Sequence, residues 1–359
     1  MLSLSDFGEP IDVVEVFRRP EDTPAIADEA VKVGAKAMPA SRPPTRCCVC
    51  HLKCAGRWGM FRFAVAVSLV ACTGASADAQ PCIADHPALQ ILGSGGPAIN
   101  ASRGSASYLL WVGGKARMLV DAGGGAFLRF GQAQAKLDDL LLLAVSHLHP
   151  DHTSDLAALL WRSQTLRTRP LRVVGPSGSE SAPDVRTFLD RLFDERSGAF
   201  QVMGPAVGGK QGAAGGSVRL EPTIVDVTRP QPVPVFESDG LRVTAIGIPH
   251  FLPTLAYRVQ VGGRSVVFSS DQNGTNPAFT DFARDADLLL MHLQLGVGGA
   301  SPGHATPTVV GQIASAAKAR RLVLGHLGQF DLDAAVAEVR KEYAGPITVG
   351  ADLQCTPAN

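Results

Sequence analysis

The chain has 359 residues, 45% of them hydrophobic, enough to build a large core. Lys plus Arg is 33 and Asp plus Glu is 33, so the net charge is zero, which argues against nucleic acid as a main partner because phosphate binding needs a basic face. With 38 Gly and 25 Pro set between recurring apolar runs, the composition describes many turns rather than disorder.

In chain order, residues 1–59 come first. They contain a Pro-rich "MPASRPPTR" and a "CCVCHLKC" cluster without the paired spacing of a zinc finger. They read as a mis-assigned start ahead of Met60, or as a disordered tail. Residues 60–77 read as a secretion signal. Arg57 and Arg62 flank its start, Phe63 to Ala71 is too short to span a bilayer, and Ala75-Ser76-Ala77 is a small-x-small cleavage site. "LVAC", ending at Cys72, also resembles a lipoprotein signal, so membrane attachment follows only if Cys72 is lipidated. The expectation is an exported protein, periplasmic or secreted, with residues 78–359 as its folded domain.

Cysteine usage agrees. Of seven Cys, cleavage after Ala77 leaves Cys82 and Cys355, one near each end, which predicts a disulfide between them. The same cleavage leaves 24 Lys plus Arg against 25 Asp plus Glu, so the mature chain is no more basic.

"LQILG" opens a strand, and "SASYLLWVGG" with "KARMLVDAGGG" reads as two strands joined at Gly113-Gly114. "LDDLLLLAVS" feeds a buried strand, "SDLAALLWRSQTL" has helical periodicity, and "LRVVGPSG" and "DVRTFLDRLFDE" are a strand and a helix. "VGGKQGAAGG", residues 207–216, lacks Walker spacing and reads as a linker. "LRVTAIGIPH", "LAYRVQVGG" and "RSVVFSSD" are three successive strands, followed by "DADLLLMHLQLG" as a fourth. Helix "PTVVGQIASAAKAR", strand "RLVLGHL", helix "LDAAVAEVRKEY" and a last strand in "PITVGADL" complete the chain. Two series of strands alternating with helices predict an α/β domain, an αββα four-layer sandwich of two mixed sheets.

Histidines 147, 149, 152, 250, 292, 304 and 326 all lie at strand ends or in loops that follow apolar runs. In "SHLHPDH", His147 and His149 flank Leu148, and Pro150 turns the chain so that Asp151 and His152 return to the same spot. Imidazoles and carboxylates gathered in this way are metal ligands. One loop cannot saturate two ions, and His250, Asp271 and His326 stand at further strand exits.

"SHLHPDH" matches the His-x-His-x-Asp-His signature of the metallo-β-lactamase superfamily, and His250, "FSSD" ending at Asp271, and "LVLGHL" around His326 follow in the expected order. The resemblance covers roughly residues 88–352. Within the superfamily, "LGSGGP", "HFLPTLAYRV" and "PGHATPTVVGQIASAAKARRLVLGHL" look most like the ribonuclease Z and type III arylsulfatase branch.

The resemblance implies two divalent ions, zinc first among candidates. His147, His149 and His250 would hold one, Asp151, His152 and His326 the other, and Asp271 would bridge them. A hydroxide between the ions would be the nucleophile, oriented by Asp151. His292 corresponds to a histidine thought to protonate the leaving oxygen in that branch, but Leu293, Gln294 and Leu295 replace the rest of its motif. His304 in "GHATP" matches a second histidine that would bind the oxyanion or assist departure. Ribonuclease Z proteins carry a long tRNA-gripping arm between the residues matching His250 and Asp271, and only 21 positions separate them here. The expected activity is therefore hydrolysis of a small phosphodiester or sulfate ester. Lactone or other acyl hydrolysis is the alternative, and a non-catalytic metal-binding module the third reading. A homodimer is compatible with the resemblance.

Overall fold

The structure is a computed structural model. It describes residues 82–163, 169–204 and 219–359. The extension expected at 1–59, the signal expected at 60–77 with Cys72, and the linker expected at 207–216 lie outside the described residues.

The first sheet takes β1 (Ala88–Gly93), β2 (Ser107–Val112), β3 (Lys115–Val120), β4 (Leu142–Ala144), β5 (Leu171–Pro176) and β6 (Leu220–Val225) in that order. The second takes β7 (Val233–Ser238), β8 (Leu241–Ile248), β9 (Thr254–Val261), β10 (Arg264–Phe268), β11 (Leu288–His292), β12 (Leu322–Gly325) and β13 (Ile347–Val349). The chain then returns to the first sheet, where β14 (Cys355–Pro357) pairs antiparallel with β1. Both sheets are mixed in the same way. Antiparallel pairing joins β1 to β3 and β7 to β10, and parallel pairing joins β3 to β6 and β10 to β13.

Strand periodicity explains the layers. Along β2, Tyr108 and Leu110 enter the core between the sheets, while Leu109 and Trp111 face the helical side. Along β11, Leu288 and Leu290 enter the intersheet core, and Leu289 and Met291 face the other helical side. Helices Leu156–Ser163 and Val185–Phe193 cover the first sheet, and Pro307–Ala316 and Leu332–Glu342 the second. The result is the αββα sandwich expected. Among the described residues no helix is long and apolar enough to cross a membrane.

Two places differ from the sequence reading. The strand in "PITVGADL" is not the last; β14 follows it, a three-residue strand whose Thr-Pro carries little β signal and which is held by pairing with β1. β6 and β7 also escaped the reading, because Pro222 and Pro234 interrupt them. Both are edge strands, where a missing N–H costs no ladder bond.

Gly113 and Gly114, at φ 58° and 70°, make the tight turn between β2 and β3, a conformation that side chains with a Cβ resist. Cys82 and Cys355 form the predicted disulfide, with Cα atoms 5.5 Å apart across a sequence separation of 273.

The parallel halves position the site. β3 ends just before Asp121, β4 before His147, β10 before Asp271, and β12 before His326, while β11 ends on His292. These carboxyl ends open to one side, the usual place for a ligand in a parallel sheet. Across that opening Leu255 N–H donates to Ser146 O (2.9 Å), and the Tyr257 hydroxyl donates to Val145 O (2.7 Å), so the second sheet is fastened to the first beside the histidine loop.

Candidate metal centre

After β4 the chain runs extended through His147 to His149, then coils into a single helical turn, Pro150–Thr153. Proline suits the first helical position because its missing N–H would have no partner there. The turn is drawn against the strand-end loop after β3, where Ala122 N–H donates to His152 O (2.7 Å) and Asp155 N–H to Ala122 O (2.9 Å). Gly123 makes this approach possible, since a Cβ there would meet Asp151 O at 2.0 Å.

Three overlapping donor groups result. His147, His149, His250 and Asp271 form one, Asp151, His152 and His326 a second, and Asp271, His292 and His326 a third. Within each cluster one ligand atom per residue lies within 4.8 Å of the rest. His147 Nε2 lies 2.9 Å from His149 Nδ1, and His250 Nε2 lies 3.3 Å from the same atom. His326 Nε2 is 3.1 Å and His152 Nε2 3.6 Å from Asp151 Oδ2. Asp271 stands between the first and the second. Its Oδ2 is 3.8 Å from His147 Nε2, 3.6 Å from His250 Nε2 and 3.6 Å from His152 Nε2, and its Oδ1 is 3.4 Å from His326 Nε2.

The rings are held from behind. His152 Nδ1 is 2.8 Å from Asp121 Oδ2, His250 Nδ1 is 2.9 Å from Gly303 O, and His147 Nδ1 is 3.1 Å from Ser146 Oγ. Each contact turns the opposite nitrogen inward. Asp121, buried and at φ 57°, is itself fixed by the Ser146 N–H and hydroxyl, both at 2.7 Å. Sequence reasoning passed over Asp121. The signal was present, because "MLVD" closes a buried strand on a carboxylate as "FSSD" does.

Electrostatics favour cation binding. Burial, reinforced by His152, pushes His147 well below the usual imidazole range. Burial lowers His149 as well and brings His250 to about 4. These rings are neutral at pH 7, as ligands must be. Burial alone would lower His152, but Asp121 and Asp271 outweigh it and raise it. Burial alone would raise Asp271, but the His326 and His152 rings hold it well below the carboxylate range.

The donor set fits divalent metal. His152 Nε2 is buried with no hydrogen-bond partner among the described residues. His147 Nε2 and His149 Nδ1, at hydrogen-bond distance, converge with His250 and Asp271 on a space that one cation would fill. Imidazole with carboxylate is a borderline set suited to zinc, iron or manganese.

His292 and His304 flank this centre differently. His292 is buried, with Nδ1 2.6 Å from Asp271 Oδ1 and Nε2 3.0 Å from the Tyr108 hydroxyl. His304 is half-buried on the open side, its ring centroid 5.0 Å from that of His250 and 6.0 Å from that of His326.

Residues 116–327 match the family described as beta-lactamase superfamily domain, and residues 2–40, in the extension, match one described as CoA binding domain. A ribonuclease Z of Mycobacterium sp. (strain KMS) is 32% identical over 194 residues, 50% of this chain and 60% of that protein. The chain thus spans less than two thirds of the length of the first relatives it matches. A ribonuclease Z of Mycobacterium marinum is 25% identical over 295 residues, 74% of this chain and 96% of that protein. Two solved structures share the fold. A metallo-beta-lactamase fold protein from Bacillus subtilis has TM-score 0.58 at 21% identity, over 76% of this chain and 99% of that one. The short form of human tRNase Z has TM-score 0.58 at 20% identity, with the same coverage.

Proposed function

The chain belongs to the beta-lactamase superfamily, a family of metal-dependent hydrolases, and from that premise we propose that it is an exported dinuclear hydrolase of small phosphodiesters or sulfate esters. The observation that carries this reading is the place of Asp271, whose carboxylate lies between two clusters of donors that each have the composition of a metal site. His147, His149 and His250 would hold one ion, Asp151, His152 and His326 the second, and Asp271 both. Zinc suits the donors best. Two such ions would activate water at neutral pH and polarise the ester oxygen.

The protein's own contribution is orientation and proton handling. Asp121 fixes the His152 tautomer, Gly303 O fixes that of His250, and backbone bonds between the two strand-end loops hold the histidine turn in place. Asp151 supplies a carboxylate oxygen at the edge of the centre that can accept a proton from the attacking water. His304, on the open side, can donate a hydrogen bond to the departing oxygen.

Small size of substrate follows from the segment between His250 and Asp271. β9, the Gly262-Gly263 turn and β10 occupy nearly all of it, so no arm extends there to grip a large ligand. The ribonuclease Z relatives favour a phosphodiester over the other esters. The Cys82–Cys355 disulfide agrees with an oxidising compartment.

The test is a metal count on purified protein, followed by turnover of a bis-aryl phosphodiester, an aryl sulfate and a lactone. Two ions per chain, with phosphodiester or sulfate turnover lost on chelation, is the expected result. Two ions with lactone turnover alone would transfer the site to acyl chemistry. Absence of metal would remove the proposal.

A further inference from the structure

The loops next to the donors carry almost no charge. Residues 94–106, 249–253, 272–276, 293–306 and 327–330 adjoin the donors or the groups that anchor them, and Arg103 is the one Lys, Arg, Asp or Glu they contain. Its Nη1 is already engaged, donating to Ser94 Oγ (2.8 Å) and Gly350 O (2.7 Å). These loops therefore offer no unengaged cation to follow the phosphates of a polymer or to neutralise a second anionic group.

Three of the loops expose apolar side chains instead. Ile99 is 97% exposed, Val297 57% and Phe251 54%. A lone exposed apolar residue is ordinary and needs no function. Phe251 differs in what it touches. Its ring centroid lies 4.9 Å from that of His250 and 6.0 Å from that of His304, so the ring stands at the open side of the centre.

The ring is also held in place. It packs on Gly303, where a Cβ would meet it at 2.4 Å. Gly303 O is the anchor of His250 Nδ1 (2.9 Å), so ring and anchor share one stretch of backbone. The surrounding loops are fastened, with the Thr254 hydroxyl donating to Leu252 O (2.7 Å), Asn273 Nδ2 to Pro302 O (2.7 Å) and Ala305 N–H to Gln272 O (2.7 Å). A ring fixed in this way loses little further freedom when a second planar group stacks on it.

His304 faces the departing oxygen in the functional reading above, and Phe251 is its neighbour. The substituent carried by that oxygen is the part of the substrate that meets the ring. We propose that Phe251 is a specificity-determining residue: its exposed ring, beside His250 and His304, takes a planar apolar leaving group, so the substrate class is a small ester whose one anionic group sits at the centre and whose leaving group is aromatic. The ester chemistry rests on the functional reading; the apolar contact is tested apart from it.

The probes are naphthalene-2-sulfonate and methanesulfonate, which share an anionic head and have no ester bond to cleave. Their affinities are measured by NMR titration of wild type, Phe251→Ala and Phe251→Tyr, metal-loaded and metal-free. Wild type and F251Y should favour naphthalenesulfonate about tenfold, and F251A should lose that preference while holding methanesulfonate unchanged. Naphthalene protons should show cross-relaxation with the Phe251 ring. Equal affinity for the two probes in wild type, no binding of either, or a preference retained in F251A would overturn the inference. Equal weakening of both probes in F251A, or loss of metal from it, would mean that the ring only supports His250, and the proposal would fall. A wild type that binds no metal and turns over no ester would remove the proposed function, while the probe preference and its loss in F251A would still decide the role of the ring. Ester turnover without any preference for the naphthyl probe would remove this inference and leave the function standing.

Discussion

Nδ1 of His292 lies 2.6 Å from Oδ1 of Asp271, inside the protein, in a donor group that also holds His326. On its other side Nε2 accepts from the Tyr108 hydroxyl at 3.0 Å, and that hydroxyl also receives the backbone N–H of His326. Both ring nitrogens are therefore engaged by protein. Asp271 keeps Oδ2 free to face His147, His152 and His250. Burial brings His292 to about 3, although Asp271 pulls it the other way, so the ring is neutral where the protein works.

A residue so placed is expected to act through Asp271 rather than on a leaving group. His292→Ala is expected to weaken metal binding and to slow esters with good and poor leaving groups by the same factor, on the order of 10–100-fold. The check is kcat/KM across a series of aryl esters of graded leaving-group acidity. A loss that grows with poorer leaving groups would restore to His292 the proton-donor role that its motif suggests.

His304 carries the opposite expectation. It is half-buried on the open side, close to a ring from each cluster, and burial lowers its basicity. His304→Ala should leave both metals bound and slow poor leaving groups about tenfold or more beyond good ones. A uniform loss accompanied by loss of metal would mean that His304 supports the donors instead.

Asp121 should act on metal affinity with little direct part in chemistry. Asp121→Asn keeps the shape but weakens the hold on His152 Nδ1, and removes the charge that raises that ring. A loss of about 10–100-fold in the affinity of one ion is expected by calorimetry. Unchanged affinity for both ions would show that the Ser146 contacts alone fix the loop.

The metal-free protein should lose stability on acidification. His147, His149, His250, His292 and His304 are lowered by folding, so the unfolded chain binds more protons and their contribution is full above about pH 6.5. It is lost as pH falls, for His250 and His292 towards about 4 and 3. His152 is raised and works in the other direction, its contribution full below about pH 6.5 and lost at high pH. Five groups against one give a lower urea midpoint at pH 5 than at pH 7.5. An equal or higher midpoint at pH 5 would contradict this balance.

The candidate donors were legible because His147, His250, Asp271 and His326 each follow an apolar run, and a buried strand that runs out on His or Asp announces its own exit. Asp121 has the same signature but stands alone in its segment, so nothing in the sequence linked it to His152, 31 positions away. His292 was visible, but its partners were not. Tyr108 sits within an ordinary apolar strand, and only the parallel register that places His292 opposite Gly325 brings ring, phenol and carboxylate together. The edge strands β6 and β7 were hidden by prolines that only an edge tolerates. β14 was hidden because its three residues are held by their neighbours rather than by their own preference.

That dependence makes the disulfide the last point to test. β14 is three residues long, pairs with β1 alone, and carries Cys355, whose partner Cys82 is buried six positions before β1 begins. The bond closes nearly the whole described chain, and in the loop-entropy account so long a closure contributes about 5–6 kcal/mol. Cys82→Ser with Cys355→Ser is expected to lower unfolding stability by that order, and reductant should do the same to wild type and nothing to the double variant. The centre lies at strand ends that β14 does not build, so metal stoichiometry should survive at low temperature. A double variant as stable as wild type would mean that β1 and β14 hold each other without the bond. Free labelling of both thiols in native protein without reductant would mean that the bond does not form in the isolated protein.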